Sequence, residues 1–284
     1  MVPPHPIDTK NPAAVAEAVK AAFGRISGQA SFPLIDRLFA DVTRMFNGQY
    51  PGYLSIDMEY HDFEHTLQAT VCLMHILEGR HRSGDTPVLS VRDWELAVMA
   101  VLLHDSGYLK YSDDREGTGA KYTLVHERRS CDFARLYLPP LGVKPQEIED
   151  VCAAINSTGP QNKISQMSFS REESRIFTFV LVTADYLGQM SAADYVDELP
   201  SLFAEFQEAF DFEHVPETKR PYHNLQELLE KTPGFWANYV WPLLDFEAGG
   251  VHRYLTTAGQ PNPYLQAVDA NIAEVRRRMR AGAG

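Results

Sequence analysis

Cysteine is scarce: Cys72, Cys131 and Cys152 are the only three in 284 residues, far apart and without CxxC spacing. They are read as reduced core residues, which excludes a disulfide framework and a thiolate zinc site. Long apolar runs are also lacking. No stretch approaches the roughly 18 apolar residues of a membrane span, and the first residues hold no basic segment followed by an apolar core. These absences predict a cytoplasmic protein with no membrane partner. Basic residues are outnumbered, 26 Lys and Arg against 38 Asp and Glu, for a formal net charge of -12. Nucleic-acid binding relies on clustered cations, so a DNA or RNA partner is not expected. A small anion met by a bound metal stays open.

Alternating strand patterns, internal repeats and linker-like stretches are missing too, whereas apolar residues recur at three and four along most of the chain. The spacing predicts helices over 31–46, 65–79, 94–107, 126–138, 148–156, 173–190, 199–210, 225–232 and 264–280. Loops are expected at 47–52, 79–87, 138–145 and 157–162, where Gly, Pro and Ser gather. The expected fold class is all-α: one helical domain over 31–284, preceded by a loosely held N-terminal extension, 1–30.

Two of these segments are apolar nearly all round and so belong at the centre of the bundle. Each carries a costly group. WELAVMAVLLHD ends in His104 and Asp105, and RIFTFVLVTAD ends in Asp185. A carboxylate on a buried helix loses several kcal/mol of solvation unless a partner compensates it. A divalent ion would compensate both aspartates and take neutral imidazoles as ligands. The candidate set is His65, His104, Asp105 and Asp185, with His126 as an extra ligand. In YHDFEH, residues 60–65, His61 and His65 are four apart, which on a helix would stack them over one volume. The plain alternatives are a helix-end ion pair at His104 and Asp105, a capping role for His61 and a surface position for His126. PYHN at 221–224 echoes the motif without a second histidine, since Glu227 takes its place.

The order His65, then His104 with Asp105, then Asp185 resembles the HD-domain metal-dependent phosphohydrolase superfamily. YHDFEHT is similar to the YHNxxHA motif of cyclic nucleotide phosphodiesterases, and GFWANYVWPLL at 234–244 is similar to their GFxxxxVxPL segment. The likeness covers about residues 50–250. It implies a helical hydrolase fold with one or two divalent ions, Zn, Mn, Mg or Fe. It implies in-line attack on phosphorus by a metal-activated water, with His61 protonating the leaving oxygen as general acid. That role calls for a carboxylate partner, for which Asp62, Glu64 and Glu127 are the candidates. The implied substrate is a small phosphorylated molecule, most naturally a 3′,5′-cyclic nucleotide, near Tyr60, Tyr108, Asn156, Thr232 and Phe235. Phe235 falls on the base-stacking clamp, with core filler as its plain alternative. Thr232 stands where that family has a purine-binding glutamine, and it also reads as a helix-end residue before Pro233. Tyr108 replaces a histidine or lysine, and Asn156 lies near a position that is acidic or histidine in relatives. A homodimer is allowed. A nucleotidase or phosphomonoesterase, a two-iron oxygenase and a catalytically silent nucleotide sensor are the rival readings.

Overall fold

Asn11, Pro12 and Gly28 bracket a helix that the spacing analysis passes over. The Asn11 carboxamide accepts from the backbone N–H groups of Ala13 and Ala14, and Gly28, at φ 69°, closes the other end. The computed structural model describes residues 4–160, 162–256 and 259–282. Residues 1–3 of the expected extension, Gln161 of an expected loop, and residues 257, 258, 283 and 284 of the expected domain lie outside them. Ten α-helices run in the order α1 (Pro12–Ser27), α2 (Pro33–Phe46), α3 (Phe63–Ser83), α4 (Val91–Leu103), α5 (His126–Tyr137), α6 (Pro145–Asn156), α7 (Glu172–Met190), α8 (Tyr195–Phe212), α9 (Leu225–Phe235) and α10 (Pro263–Gly282). Among the described residues there is no strand, only an isolated bridge between Tyr53 and Tyr111. The fold is all-α. No single described helix is long and apolar enough to cross a membrane, and all three cysteines are buried and free.

The centre is built by α3, α4 and α7. α3 and α7 form the most extensive helix pair, α4 packs on both, α5 and α6 cover one side, and α1 and α2 the other. Close approach of α3 and α7 depends on Gly188. A Cβ there would lie 2.8 Å from the backbone nitrogen of Ala69, so any larger residue pushes two buried helices apart. A second contact of this kind joins the turn after α4 to the start of α5, where a Cβ on Gly107 would lie 2.0 Å from the His126 carbonyl oxygen. These two glycines bring the ends of separate helices within reach of one another.

Three expectations need correction. The extension is not loosely held over its helical part: Val15, Val19 and Phe23 of α1 are buried in the same core, and Phe23 packs edge-on against Phe32 and Trp94. Alanine-rich turns between these residues dilute the apolar signal. The loop expected at 79–87 is helical as far as Ser83, because Gly79 lies against the Tyr254 backbone, where a Cβ would sit 1.9 Å from its carbonyl oxygen. Pro233 lies inside α9, which runs on to Phe235 and into π-helical turns at Trp236–Val240 and Leu243–Glu247. Thr232 therefore does not mark a helix end.

Phe23→Ala tests the place of α1 in the core. Removing a buried phenylalanine typically costs about 3–5 kcal/mol, and a loss of that size is expected in urea-unfolding experiments; an unchanged midpoint would mean that α1 is peripheral.

Candidate metal centre

Asp62 begins α3. Its carboxylate accepts from the His65 backbone N–H at 2.8 Å, so the helix starts at Phe63 and His61 lies just outside it. The two imidazoles are thus not stacked on one helical face. They still converge, with ring centroids 5.5 Å apart at 81°, because the capping turn folds His61 back toward the first turn. α4 is nucleated by a Ser90–Asp93 capping box and ends at Leu103, which leaves His104 as its C-cap and Asp105 in the following turn. Asp185 is not at the end of α7 but more than a turn before it.

The side chains of His65, His104, Asp105 and Asp185 meet. His65 Nε2 lies 3.3 Å from His104 Nε2, 3.3 Å from Asp105 Oδ2 and 3.3 Å from Asp185 Oδ1. His104 Nε2 lies 3.2 Å from Asp105 Oδ2 and 3.4 Å from Asp185 Oδ1. The ligand atoms of His65, His104 and Asp185 form a group of metal-binding size. Ligands about 2.0–2.1 Å from a tetrahedral ion are about 3.3 Å apart, so the separations within His65, His104 and Asp185 fit a single divalent cation, and Asp105 Oδ2 stands at the same distance from both imidazoles.

Hydrogen bonding gives an independent test of that fit. His104 Nδ1 donates to the Val101 carbonyl at 2.7 Å, and His126 Nδ1 donates to the Thr123 carbonyl at 2.7 Å. A neutral ring with its proton on Nδ1 turns a lone pair outward at Nε2. Nδ1 of His65 has its own partner, the Gln189 carboxamide, at 2.9 Å. Asp105 Oδ2 is buried and receives no well-aligned hydrogen bond. The His104 lone pair and the two carboxylates therefore converge, and His65 joins them as an acceptor when its proton lies on Nδ1; a cation satisfies such a set.

Without an ion, protons take that place. Burial by itself lowers the His65 pKa, but Asp105 and Asp185 outweigh it and lift it to about 10. His104 is raised in the same way, against burial, by the same two carboxylates. Burial would raise the aspartates, yet the imidazoles hold both well below the usual carboxylate range.

His126 stands at the edge of the set. Its Nε2 is 3.6 Å from Asp105 Oδ1, the oxygen turned away from the first group, so Asp105 offers one oxygen to each of two positions. Tyr108 is fully buried beside His126, stacked at 4.6 Å and 9°, and also packs at 5.1 Å from His61. Ser130 supports this corner by donating to the His104 carbonyl and accepting from the Gly107 N–H. Tyr60 is buried with its ring parallel to His65 at 6.5 Å.

His61 has a partner that none of the sequence candidates supplies. Its Nδ1 lies 2.6 Å from Oε2 of Glu205 on α8, while Oε1 of the same carboxylate accepts from the backbone N–H groups of Glu59, Tyr60 and His61. Asp62 is occupied as a cap, Glu64 bonds Thr9, and Glu127 lies 3.6 Å from His126 Nδ1. Glu205 lies 144 residues from His61 and was missed because no local pattern links them. Gln189 was missed as well, although it follows Asp185 by four on one helix, a spacing that places both on the same face.

The remaining sequence candidates are less closely tied to the centre. Thr232 is buried and its hydroxyl donates to the Leu228 carbonyl at 2.8 Å. Phe235 is 37% exposed, stacks on Tyr239 at 5.2 Å, and lies 6.2 Å from Tyr186, the neighbour of Asp185. Asn156 closes α6, where its carbonyl accepts from Asn162; among the described residues its side chain makes no hydrogen bond to the centre. His223 of PYHN is on the surface, paired with Glu227.

Metal loading should release protons. The imidazoles must give up the protons that Asp105 and Asp185 help them hold, so Zn affinity is expected to rise with pH from 6 to 9. Titration calorimetry at pH 7 in buffers of different ionisation enthalpy should show a buffer-dependent heat of at least one proton; a buffer-independent heat would contradict this protonation of the metal-free centre.

A protein-family model described as Npun_R2479-like matches residues 17–132, a stretch that holds His61, His65, His104, Asp105 and His126 and stops short of Asp185, Gln189 and Glu205. No curated protein matches the chain.

Proposed function

We propose that the protein is a divalent-metal-dependent phosphohydrolase acting on a small phosphoester, with a 3′,5′-cyclic nucleotide as the favoured substrate class. One observation carries the reading: four acceptors that need a cation adjoin a single imidazole, His61, that stays outside the set and is held by a carboxylate. The likeness of YHDFEHT, the His104–Asp105 pair and GFWANYVWPLL to HD-domain phosphodiesterases supports it from the sequence side.

His65, His104, Asp105 and Asp185 would hold the first ion, and Asp105 with His126 would offer a position for a second. A divalent ion bound there supplies Lewis acidity, lowering the pKa of water toward about 7 and neutralising charge on phosphoryl oxygens. The protein contributes the rest. Glu205 occupies Nδ1 of His61, so Nε2 is the atom that delivers a proton to the departing oxygen. General acid help of this kind is worth about 10² to 10⁴ in rate. The three ligand histidines have uncharged hydrogen-bond partners on Nδ1, with the Glu127 carboxylate farther off at 3.6 Å from His126, and His61 has a carboxylate within hydrogen-bond distance, which separates proton transfer from coordination.

Phe235 has one face against Tyr239, lies beside Tyr186 and is 37% exposed, so it offers aromatic surface against which a base can pack. Thr232 uses its hydroxyl proton within its own helix and is too short for a bidentate contact to a purine edge. Stacking without edge recognition gives a base-tolerant site. A phosphomonoester is the second reading, favoured by the same lack of an edge contact.

Mn-loaded protein should hydrolyse an aryl phosphodiester faster than the matching monoester, and cyclic AMP, GMP and CMP with kcat/KM values within about tenfold of one another. Monoester activity alone would move the assignment to the second reading; no hydrolysis of any phosphoester would remove both. His61→Ala should lower kcat by about 10² to 10⁴ with metal content unchanged, whereas Asp105→Ala should lose metal. Equal metal loss in both variants would undo the division of roles.

A further inference from the structure

His104 and His126 take their Nδ1 partners from their own chain segment, a carbonyl three residues back in each case. A carbonyl only accepts, so it fixes the ring with its proton on Nδ1 and its lone pair on Nε2. His65 has no such local partner. It sits in the first turn of α3, and its Nδ1 meets Gln189 of α7 across 124 residues.

A carboxamide differs from a carbonyl because either end can face the ring: the structure sets the nitrogen, Nε2, 2.9 Å from Nδ1, and a flip of the carboxamide exchanges it for the oxygen. The amide nitrogen donates to Nδ1 and leaves the ring proton on Nε2, pointing at Asp105 and Asp185 3.3 Å away. The amide oxygen accepts from Nδ1–H and leaves Nε2 free to coordinate. The two ends are alike in shape, and the hydrogen-bond network decides between them. Coordination by His65 requires the oxygen end.

The geometry points to Gln189 as a positioning residue for the metal centre: with its carboxamide flipped so that the oxygen, in place of the nitrogen, faces Nδ1, it sets the tautomer in which His65 binds the ion. The inference rests on the metal-centre reading and adds a residue that touches neither ion nor substrate. Its placement follows from the fold. Gln189 lies one helical turn beyond Asp185, so both reach His65 from one face of α7, and neighbouring Gly188 lets that face approach α3 at backbone distance.

The test uses full-length protein, with Zn affinity measured by competition against a chromophoric chelator. Gln189→Met keeps length and bulk without the hydrogen bond, and Gln189→Glu keeps an acceptor. Loss of a partner of this kind typically costs 10–100-fold in metal affinity. Gln189→Met is expected to weaken Zn binding by that factor, and Gln189→Glu to bind at least as tightly as wild type. Long-range ¹H–¹⁵N spectra of the Zn-loaded wild type should show the His65 ring proton on Nδ1. Wild-type affinity in Gln189→Met, or equal weakening in both variants, would overturn the assignment while leaving the centre intact. A wild-type protein that binds neither Zn nor Mn would overturn the centre itself, and Gln189 with it.

Discussion

Two imidazole nitrogens 3.3 Å apart, each 3.2–3.4 Å from a carboxylate oxygen of both Asp105 and Asp185, are the constraint on which the rest of the molecule turns. Deprotonated, these imidazoles would turn lone pairs toward two carboxylate oxygens in a buried place, where water cannot separate them. Only positive charge makes the arrangement favourable. The packing of α3, α4 and α7 holds the donors there regardless, since each is anchored by an apolar helix whose remaining surface is committed to the core. Gly188 and Gly107 are the small residues that let those helices and the following turn come close enough.

Around that centre, the rings differ in what stands behind them. Uncharged partners behind His65 and His104 add no charge at the buried core of the set, and His126, at its edge, bonds a carbonyl with Glu127 3.6 Å away. Glu205 behind His61 makes that histidine different in kind. α8 carries this carboxylate and also Glu208, which accepts from the backbone and hydroxyl of Thr118. One face of α8 therefore clamps both the 59–61 segment and the loop before α5.

Much of this was legible before any coordinates. A histidine and aspartate closing an apolar helix, and a second aspartate late in another, are costly enough to demand an explanation, and the explanation predicts that they meet. The three-and-four spacing found nine of the ten helices, and α1 carries the same signal in Val15, Val19 and Phe23, diluted by the alanines among them. His61 was placed on a helix because a four-residue spacing suggests one, whereas Asp62 as a cap delays the helix by two residues. Glu205 could not be found, because nothing local ties a glutamate on α8 to a histidine near residue 60. Close approaches at Gly107 and Gly188 are likewise tertiary, visible only when one backbone lies against another.

The most direct measurement is a crystal of the protein soaked in Mn or Zn, with anomalous scattering recorded at the metal edge. The account predicts a strong peak about 2.0–2.2 Å from His65 Nε2, His104 Nε2, Asp105 Oδ2 and Asp185 Oδ1. A map without a peak there, with the histidines still paired to the aspartates at saturating metal, would contradict it.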